Sequence, residues 1–182
     1  MSNVKKYVLT AVTLGLIAMT SGLLIGATNL VTAERIDKNN KLKIENGIKE
    51  VLKTSDNPYI YEMDNGSLDG YKYLDKCYGV QAYKDTPSFV GVAFLTSGSN
   101  MYGKVSLIIG FGADQSFKGV YFVTNEQTYA STLVENYIDP LNESPTNENI
   151  EDVKCGATYG ATLVKDMINE AKDALPSFLG YI

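Results

Sequence analysis

The order of hydrophobic and polar positions divides the chain into an uncharged run, an amphipathic stretch and a longer mixed portion. No residue between Tyr7 and Ala33 is charged, and this run exceeds the roughly 20 residues that a helix needs to span a bilayer. The pattern therefore predicts a transmembrane helix at 7–33 after a short tail at 1–6. The alternative is a cleaved signal peptide ending at Val31-Thr32-Ala33, although its apolar segment usually has only about 7–15 residues.

An amphipathic helix is predicted next, at 34–55, as a connection to a folded domain at 56–182. Its apolar residues recur at helical spacing on one face, with Lys and Glu opposite: Ile44, Ile48, Val51 and Leu52. Lysines stand on both sides of the apolar run, so their count does not set the orientation. A short N-terminal tail is expected to stay in the cytoplasm, which puts the folded domain outside.

Beyond Pro58 the hydrophobic period changes to that of strands. Short runs rich in β-branched and aromatic residues predict strands at 59–63, 71–74, 89–95, 105–109 and 120–123. Short loops between the last three predict an antiparallel meander. The pattern then predicts a helix at 126–137, a polar loop at 140–149, and a helix at 159–174 that Pro176 stops. The fold class is α+β, with an antiparallel sheet flanked by helices.

The amino-acid composition excludes several classes of catalysis and cofactor for this domain. The chain has no His, only 2 Cys and a net charge of -5. Ser-His-Asp and Cys-His catalysis are excluded, and two Cys are too few to hold an iron–sulfur cluster. An acidic chain also lacks the basic face that nucleic acid requires. We predict no catalytic residue and no metal site, whereas a flavin is a redox cofactor that needs neither His nor a Cys cluster.

The segment Asp152-Val-Lys-Cys-Gly-Ala-Thr158 leads directly into the last predicted helix. A Gly156-Ala157 turn would deliver the Thr158 hydroxyl to the start of that helix. Backbone N–H groups there have no intrahelical partner, and the helix dipole favours an anion. The segment is thus suited to hold a phosphate. The alternative is that Thr158 is simply an N-cap.

Several landmarks together resemble the FMN-binding domain shared by two membrane-complex subunits. These are the G subunit of the Rnf electron-transport complex and the C subunit of the Na+-translocating NADH:quinone reductase. Asn29–Ile36 resembles the family's membrane exit, and Gly91–Phe94 followed by Tyr102-Gly103 resembles its central hairpin. Asp152-x-x-Cys-Gly-Ala-Thr158 resembles its flavinylation motif, D-x-x-S/T-G-A-T. The chain length is closer to the Rnf G subunit.

The resemblance implies FMN bound covalently through a phosphoester to Thr158, attached by a separate flavin transferase. Gly156 would let the backbone approach closely, and Ala157 would leave room for the ester. Cys155 occupies the position where the family has Ser or Thr. Asp152 would be part of what the transferase recognises.

The resemblance also places two loops around the flavin. The hairpin turn would contribute Tyr102 and Gly103, and the family's E-T-P-G loop stands here as Glu126-Gln-Thr-Tyr129, without its glycine. From that loop we expect Glu126, Thr128 and Tyr129 at the site. A further departure is Gly160-Ala161, where the family often has Thr-Ser.

Aromatic and sulfur side chains leave alternatives open. Four aromatic residues can either stack on a flavin ring or serve in ordinary packing: Tyr102, Phe122, Tyr129 and Tyr159. Cys77 and Cys155 can form a disulfide in an extracytoplasmic domain or remain two buried thiols.

The implied function is electron transfer by a single-pass protein of the cell membrane, with its FMN domain on the extracytoplasmic side. It would work with the other membrane and cytoplasmic subunits of an Rnf-type complex that couples ferredoxin and NAD to ion translocation. Enzyme activity would then belong to that translocase complex. Two alternatives are a stand-alone extracytoplasmic flavin carrier and an anchored, non-redox binding module that has lost its flavin.

Overall fold

A computed structural model describes residues 3–54, 57–63, 68–84, 86–151 and 154–179. Met1 and Ser2, positions 55 and 56 at the predicted domain boundary, and Asp152 lie outside the described residues. The chain divides into two compact units, Met1–Leu42 and Lys43–Ile182. Helix α1, Asn3–Leu52, contributes residues to both units.

The first unit consists of the N-terminal part of α1, whose large hydrophobic side chains are exposed. This helix is long and apolar enough to span a membrane. Threonine hydroxyls along it donate hydrogen bonds of 2.8–3.0 Å to the carbonyl of the residue four positions earlier, at Thr10, Thr13, Thr20, Thr28 and Thr32. Side-chain polar groups satisfied within the helix are what an apolar bilayer requires.

The second unit is built on a five-stranded antiparallel sheet in the order β1-β2-β3-β4-β5. The strands are β1 (Tyr59–Glu62), β2 (Leu74–Tyr83), β3 (Thr86–Asn100), β4 (Gly103–Gly112) and β5 (Phe117–Asn125). Each strand pairs with its neighbour in sequence. The predicted antiparallel meander and the α+β class are therefore confirmed.

Helices cover both faces of this sheet. The end of α1 packs on one face, where Ile48, Val51 and Leu52 cluster with Ile108 of β4. The other face is covered mainly by α4 (Thr158–Leu179), whose buried residues join the alternate β4 side chains Leu107, Ile109 and Phe111. Successive strand residues point to opposite faces, so the central strand β4, which is covered on both sides, is apolar at most positions from Val105 to Phe111, Ser106 excepted.

A mixed helical segment connects β5 to the region before α4. It comprises α2 (Ala130–Leu133), a π-helical turn (Val134–Ile138) and α3 (Asp139–Glu143). The π turn ends just before Pro140, near the N-terminus of α3. Proline lacks an N–H, and its ring clashes with the carbonyl four residues earlier, so regular α-helical bonding cannot continue through this position.

Several predicted elements differ from the structure. The strand predicted at 71–74 is wrong except at Leu74, where β2 begins, and the rest of β2 was not predicted. The N–H groups of Lys72 and Tyr73 donate hydrogen bonds to the Glu170 carboxylate and not to a neighbouring strand. The bond from the Tyr73 N–H is 2.8 Å long. The helix predicted at 126–137 begins only at Ala130, and helical structure extends through α3 into the predicted loop.

Pro176 lies inside α4 and does not end it. Proline costs a helix one hydrogen bond, and tertiary packing opposes that cost in the last turn. Phe178 is fully buried, and its ring packs edge-on against Phe94 of β3 with centroids 5.2 Å apart. Packing thus carries the helix beyond its predicted end.

Asparagine side chains pair with the backbone of the segments that follow the sheet. The Asn142 amide accepts from the Val120 N–H at 2.8 Å and donates to the Val120 carbonyl at 3.0 Å. The Asn169 amide makes the same double contact with Ile150, at 2.9 and 3.1 Å. These bonds satisfy backbone groups of an edge strand and of a loop, and they fix the chain that leads into α4.

Both cysteines are buried free thiols, so the disulfide alternative is not what the structure contains. The Cys77 thiol lies 3.8 Å from the Met63 sulfur, and burial raises the pKa of Cys77 well above its usual range. A buried, protonated thiol behaves as a small apolar residue.

Gly110 of β4 allows α1 to approach the sheet, because a Cβ there would lie 2.3 Å from Val51 Cγ1. Overpacking of this kind costs about 1–3 kcal/mol. We therefore expect Gly110→Ala to lower the free energy of unfolding by that amount, measured by denaturant unfolding of the full chain in detergent. Gly15→Ala is the matched control, since nothing lies within 4 Å of the added methyl group. Equal stability of Gly110→Ala and the unmodified chain would contradict this packing.

Iodoacetamide labelling tests the state of the two thiols. In the folded protein at pH 8 we expect neither Cys77 nor Cys155 to react, because both are buried. After unfolding in urea without any reductant, both should be labelled, giving two added groups by intact mass. A chain that gains its two labels only after reduction would show a disulfide instead.

Candidate functional site

A cavity of about 230 Å³ lies where three segments of the second unit meet. The segments are the β3–β4 turn, the loop between β5 and α2, and the start of α4. The described residues that line it are Tyr102, Gln127, Tyr129, Gly156, Ala157, Thr158, Tyr159 and Gly160. None of these side chains is charged, so the polar groups of the cavity come from backbone, hydroxyls and one amide.

No side chain among the described residues accepts a hydrogen bond from the first N–H groups of α4. The Ala157 carbonyl accepts the first helical hydrogen bond, from the Ala161 N–H at 3.0 Å, which makes Ala157 the N-cap and Thr158 the first helical residue. Alanine is a poor N-cap because it has no side-chain acceptor. The N–H groups of Thr158, Tyr159 and Gly160 find no acceptor among the described residues. They are free to receive an anion's oxygens.

Thr158 therefore does not act as the N-cap. Its side chain is exposed at the cavity, and no hydrogen bond joins its hydroxyl to another described residue. A hydroxyl next to free N–H donors at a helix start is positioned to be esterified by a phosphoryl group, whose remaining oxygens those donors can bind.

The turn before α4 depends on Gly156, whose φ of +82° lies in the left-handed region. A side chain there would also come within 3.2 Å of Thr132 Cγ2. The neighbouring Cys155 is buried, and its carbonyl accepts from Asn136 Nδ2 at 3.1 Å. The turn is thus held against α2 and the π-helical turn.

Gly160 brings the first turn of α4 close to the neighbouring loop. A Cβ at this position would lie 3.1 Å from Leu133 Cδ2 and 3.2 Å from Gln127 Oε1. The adjacent Ala161 is buried. Larger side chains would have to displace Leu133 or Gln127, which accounts for the Gly-Ala pair at these positions.

Asn100, the last residue of β3, links all three segments. Its Oδ1 accepts from the Tyr102 N–H at 2.8 Å and from Gln127 Nε2 at 3.1 Å. Its Nδ2 donates to the Tyr159 carbonyl at 3.0 Å. The side chain therefore ties the β3–β4 turn, the loop after β5 and the start of α4 together.

Gln127 is the buried polar side chain of the cavity, with 7% exposure. Besides Asn100, its Nε2 donates to the Gly103 carbonyl at 2.6 Å. Two acceptors at Nε2 fix the orientation of the amide. The Oε1 atom is therefore directed toward Gly160.

Backbone contacts hold the loop after β5 against the β3–β4 turn. The Glu126 N–H donates to the Lys104 carbonyl at 2.9 Å, and the Thr128 N–H donates to the Tyr102 carbonyl at 3.1 Å. Gly103 has φ +135°, and a Cβ there would lie 2.1 Å from the Glu126 carbonyl oxygen. Glycine is required where two backbones approach this closely.

The structure brings five of the predicted site residues together as cavity lining: Tyr102, Tyr129, Gly156, Ala157 and Thr158. Four other predicted residues are next to lining residues in the sequence but do not line the cavity themselves: Gly103, Glu126, Thr128 and Cys155. The Glu126 side chain is exposed. Asp152 lies outside the described residues.

Three residues that shape the site were not predicted as site residues: Asn100, Gln127 and Gly160. Asn100 is a turn-forming residue type beside a hairpin, and that signal would have drawn attention to it. Gln127 and Gly160 carry no local signal, because their roles depend on contacts with distant segments. Phe122, one of the possible stacking residues, packs against the core and does not line the cavity.

Among the described residues, no group of His, Cys, Asp or Glu is arranged to hold a metal ion. No protein-family model matches the chain, and no curated protein sequence matches it. The family resemblance therefore rests on the residues themselves.

Gln127→Ala should lower the free energy of unfolding by about 1–3 kcal/mol, because it removes two hydrogen bonds, to Asn100 Oδ1 and to the Gly103 carbonyl, each of which contributes about 0.5–1.5 kcal/mol. Thr128→Ala is the control, since this exposed side chain makes one long hydrogen bond within the described part of the chain, 3.4 Å to the Tyr102 carbonyl. Its effect should stay within about 0.5 kcal/mol. Denaturant unfolding of both variants tests the difference, and equal effects would contradict the role of Gln127.

Proposed function

We propose that this protein is a membrane-anchored electron carrier with FMN bound covalently through a phosphoester to Thr158. The observation that carries the proposal is the free Thr158 hydroxyl at the cavity, beside N–H groups of α4 that have no described acceptor. The motif Asp152-x-x-Cys-Gly-Ala-Thr158 resembles the flavinylation motif of the Rnf G subunit family, and its last residue occupies this position.

The residues of the cavity fit a phosphoryl group. The N–H groups of Thr158, Tyr159 and Gly160 would bind its oxygens, and the positive end of the α4 dipole would favour its charge. Ala157 leaves the position of a capping side chain empty, so no carboxylate or hydroxyl competes for these donors. Described lining residues carry no charge, so no acidic side chain there would repel the phosphate.

Ester formation would join Thr158 Oγ to phosphorus with loss of the hydroxyl proton. A flavin transferase would supply an activated flavin nucleotide, whose leaving group departs from phosphorus. The motif's Asp152 would belong to the surface that the transferase recognises. Because Thr158 is exposed, a second protein can reach it without unfolding the domain.

When bound, the flavin supplies the electron transfer, and the protein sets its position and its environment. Asn100 and Gln127 would hold the three segments at a fixed separation around the attachment point. Gly103 and Gly156 would keep the two turns in the conformations that the cavity needs. No substrate bond needs to be made or broken by this chain.

The N-terminal helix supports the membrane part of the proposal, because α1 contains a segment long and apolar enough to span a bilayer. We propose that the FMN domain lies on the extracytoplasmic side and passes electrons within an Rnf-type complex. Such a complex couples ferredoxin and NAD to ion translocation. A stand-alone carrier would have the same fold and the same ester, and co-purification with other membrane subunits distinguishes the two.

Thr158→Ala should abolish covalent flavin, since it removes the oxygen that forms the ester. The measurement is intact mass, together with in-gel flavin fluorescence, of full chain co-produced with a flavin transferase in membranes. Thr162→Ala is the control, because Thr162 lies one turn further along α4 and should leave the flavin in place. Thr158→Ser should restore part of the labelling, as it keeps a hydroxyl.

A non-redox binding module is the second candidate, favoured by the exposed Glu126 side chain, which does not line the cavity. In that case the α4 N-terminus would bind a free anion reversibly. An unmodified mass of the wild-type chain in the presence of an active transferase would favour this candidate. Retention of flavin in Thr158→Ala would refute the assignment of the attachment residue.

A further inference from the structure

Exposed large hydrophobic side chains of the second unit concentrate at the mouth of the cavity. Among its described residues, the exposed ones are Tyr59, Tyr83, Met101, Tyr129 and Tyr159. Tyr129 and Tyr159 line the cavity with 57% and 63% exposure. Met101, 82% exposed, precedes the lining residue Tyr102 in the same turn. A cluster of exposed apolar side chains on a folded domain indicates a binding surface.

The three lining tyrosines, Tyr102, Tyr129 and Tyr159, form an aromatic rim. The rings of Tyr102 and Tyr159 have centroids 5.4 Å apart and are tilted by 36°. Tyr102 is half-buried and supports the exposed Tyr159 ring. The Tyr159 carbonyl is bound by Asn100 Nδ2, so its backbone is fixed while its ring remains exposed.

The size of the cavity limits what it can enclose. Its volume of about 230 Å³ is below the roughly 300–1,000 Å³ of pockets that bury most of a drug-sized ligand. A phosphoryl group and part of a polyol chain fit beside Thr158. A tricyclic ring in addition would have to lie at the mouth, where the rim is.

We infer that the isoalloxazine ring of the Thr158-bound flavin lies outside the cavity against the aromatic rim, with Tyr159 as its main contact residue. The other face of the ring then stays accessible to solvent and to an electron-transfer partner. This inference rests on the proposed flavin ester and adds to it where the ring lies and which side chain holds it.

Because the flavin would be covalently attached, an exposed contact with the aromatic rim is enough to hold its ring. A ring attached to the residue next to Tyr159 is present at an effective concentration of roughly millimolar or above. Stacking of a planar ring on an exposed aromatic side chain contributes to binding without an enclosing pocket. The rim can therefore hold a tethered ring that it would bind only weakly if the flavin were free.

Tyr159→Leu in the flavin-loaded full chain tests this inference. Tyr83→Leu is the matched control, because Tyr83 has the same 63% exposure and lies at the end of β2, outside the cavity lining. Flavin load is first measured by intact mass and should be equal in all three proteins. Tyr159→Leu removes the aromatic ring that stacks on the flavin, so the flavin fluorescence per bound flavin should rise in this variant and stay unchanged in Tyr83→Leu.

Iodide quenching of the wild-type protein is the second measurement, at constant ionic strength. We expect efficient quenching, because one face of the ring is open to solvent. Full flavin load with no iodide quenching, or with fluorescence unchanged in Tyr159→Leu, would overturn the inference while leaving the Thr158 ester intact. Absence of flavin from the wild-type chain would instead overturn the proposed function, and the inference with it.

Discussion

The hydrogen bonds of the Asn100 side chain hold together three segments that lie far apart in the sequence. A single amide binds the Tyr102 N–H, the Gln127 amide and the Tyr159 carbonyl. The sheet supplies the fixed point, because Asn100 ends β3 directly beside its partner β4. Of this partly buried network, Gln127 is the buried member, and a buried amide is costly when its hydrogen bonds are not made. The width of the cavity therefore depends on this one residue and on its partner Gln127.

The sequence predicted best those elements whose burial is uniform. Strand β4 is covered on both faces and reads as one apolar run, and α4 has a strong helical period, so both were found. Strand β2 was missed because Asp75, Lys76 and Gln81 interrupt its pattern. Irregularities in its register with β3, between Leu74 and Lys76 and between Val80 and Gln81, break the period of two that marks a strand.

Only the part of the candidate site that is formed by residues close together in the sequence could be predicted. Thr158 and the Gly156 turn follow from a short motif, since the geometry of a turn and a helix start is local. Asn100 and Gln127 act through contacts between distant segments, which no pattern along the chain encodes. The prediction that the last helix ends at Pro176 was wrong for a similar reason. Burial of Phe178 against Phe94 stabilises the last turn of α4 more than the proline destabilises it.

The positions at which this chain differs from the family that it resembles are mutually consistent in the structure. Gly160 and Ala161 are small where Leu133 and Gln127 lie close, and Gln127 stands in the loop where the family that this chain resembles has a glycine. A buried glutamine next to a helix glycine fills space that a larger helix residue would otherwise take. Cys155 is likewise buried, and its backbone carbonyl, not its side chain, makes the contact with Asn136. A thiol can therefore replace a hydroxyl at this position without breaking the turn.

The N-terminus of α4 is less stable than that of a helix with a side-chain N-cap. An Asp, Asn, Ser or Thr cap in place of Ala157 would contribute about 0.5–2 kcal/mol, but its side-chain oxygen would occupy the N–H groups beside Thr158. A bound phosphoryl group can satisfy the same donors and favours the positive end of the helix dipole. The uncapped helix start and the unbonded Thr158 hydroxyl are both accounted for by the anionic group that we propose is attached at Thr158.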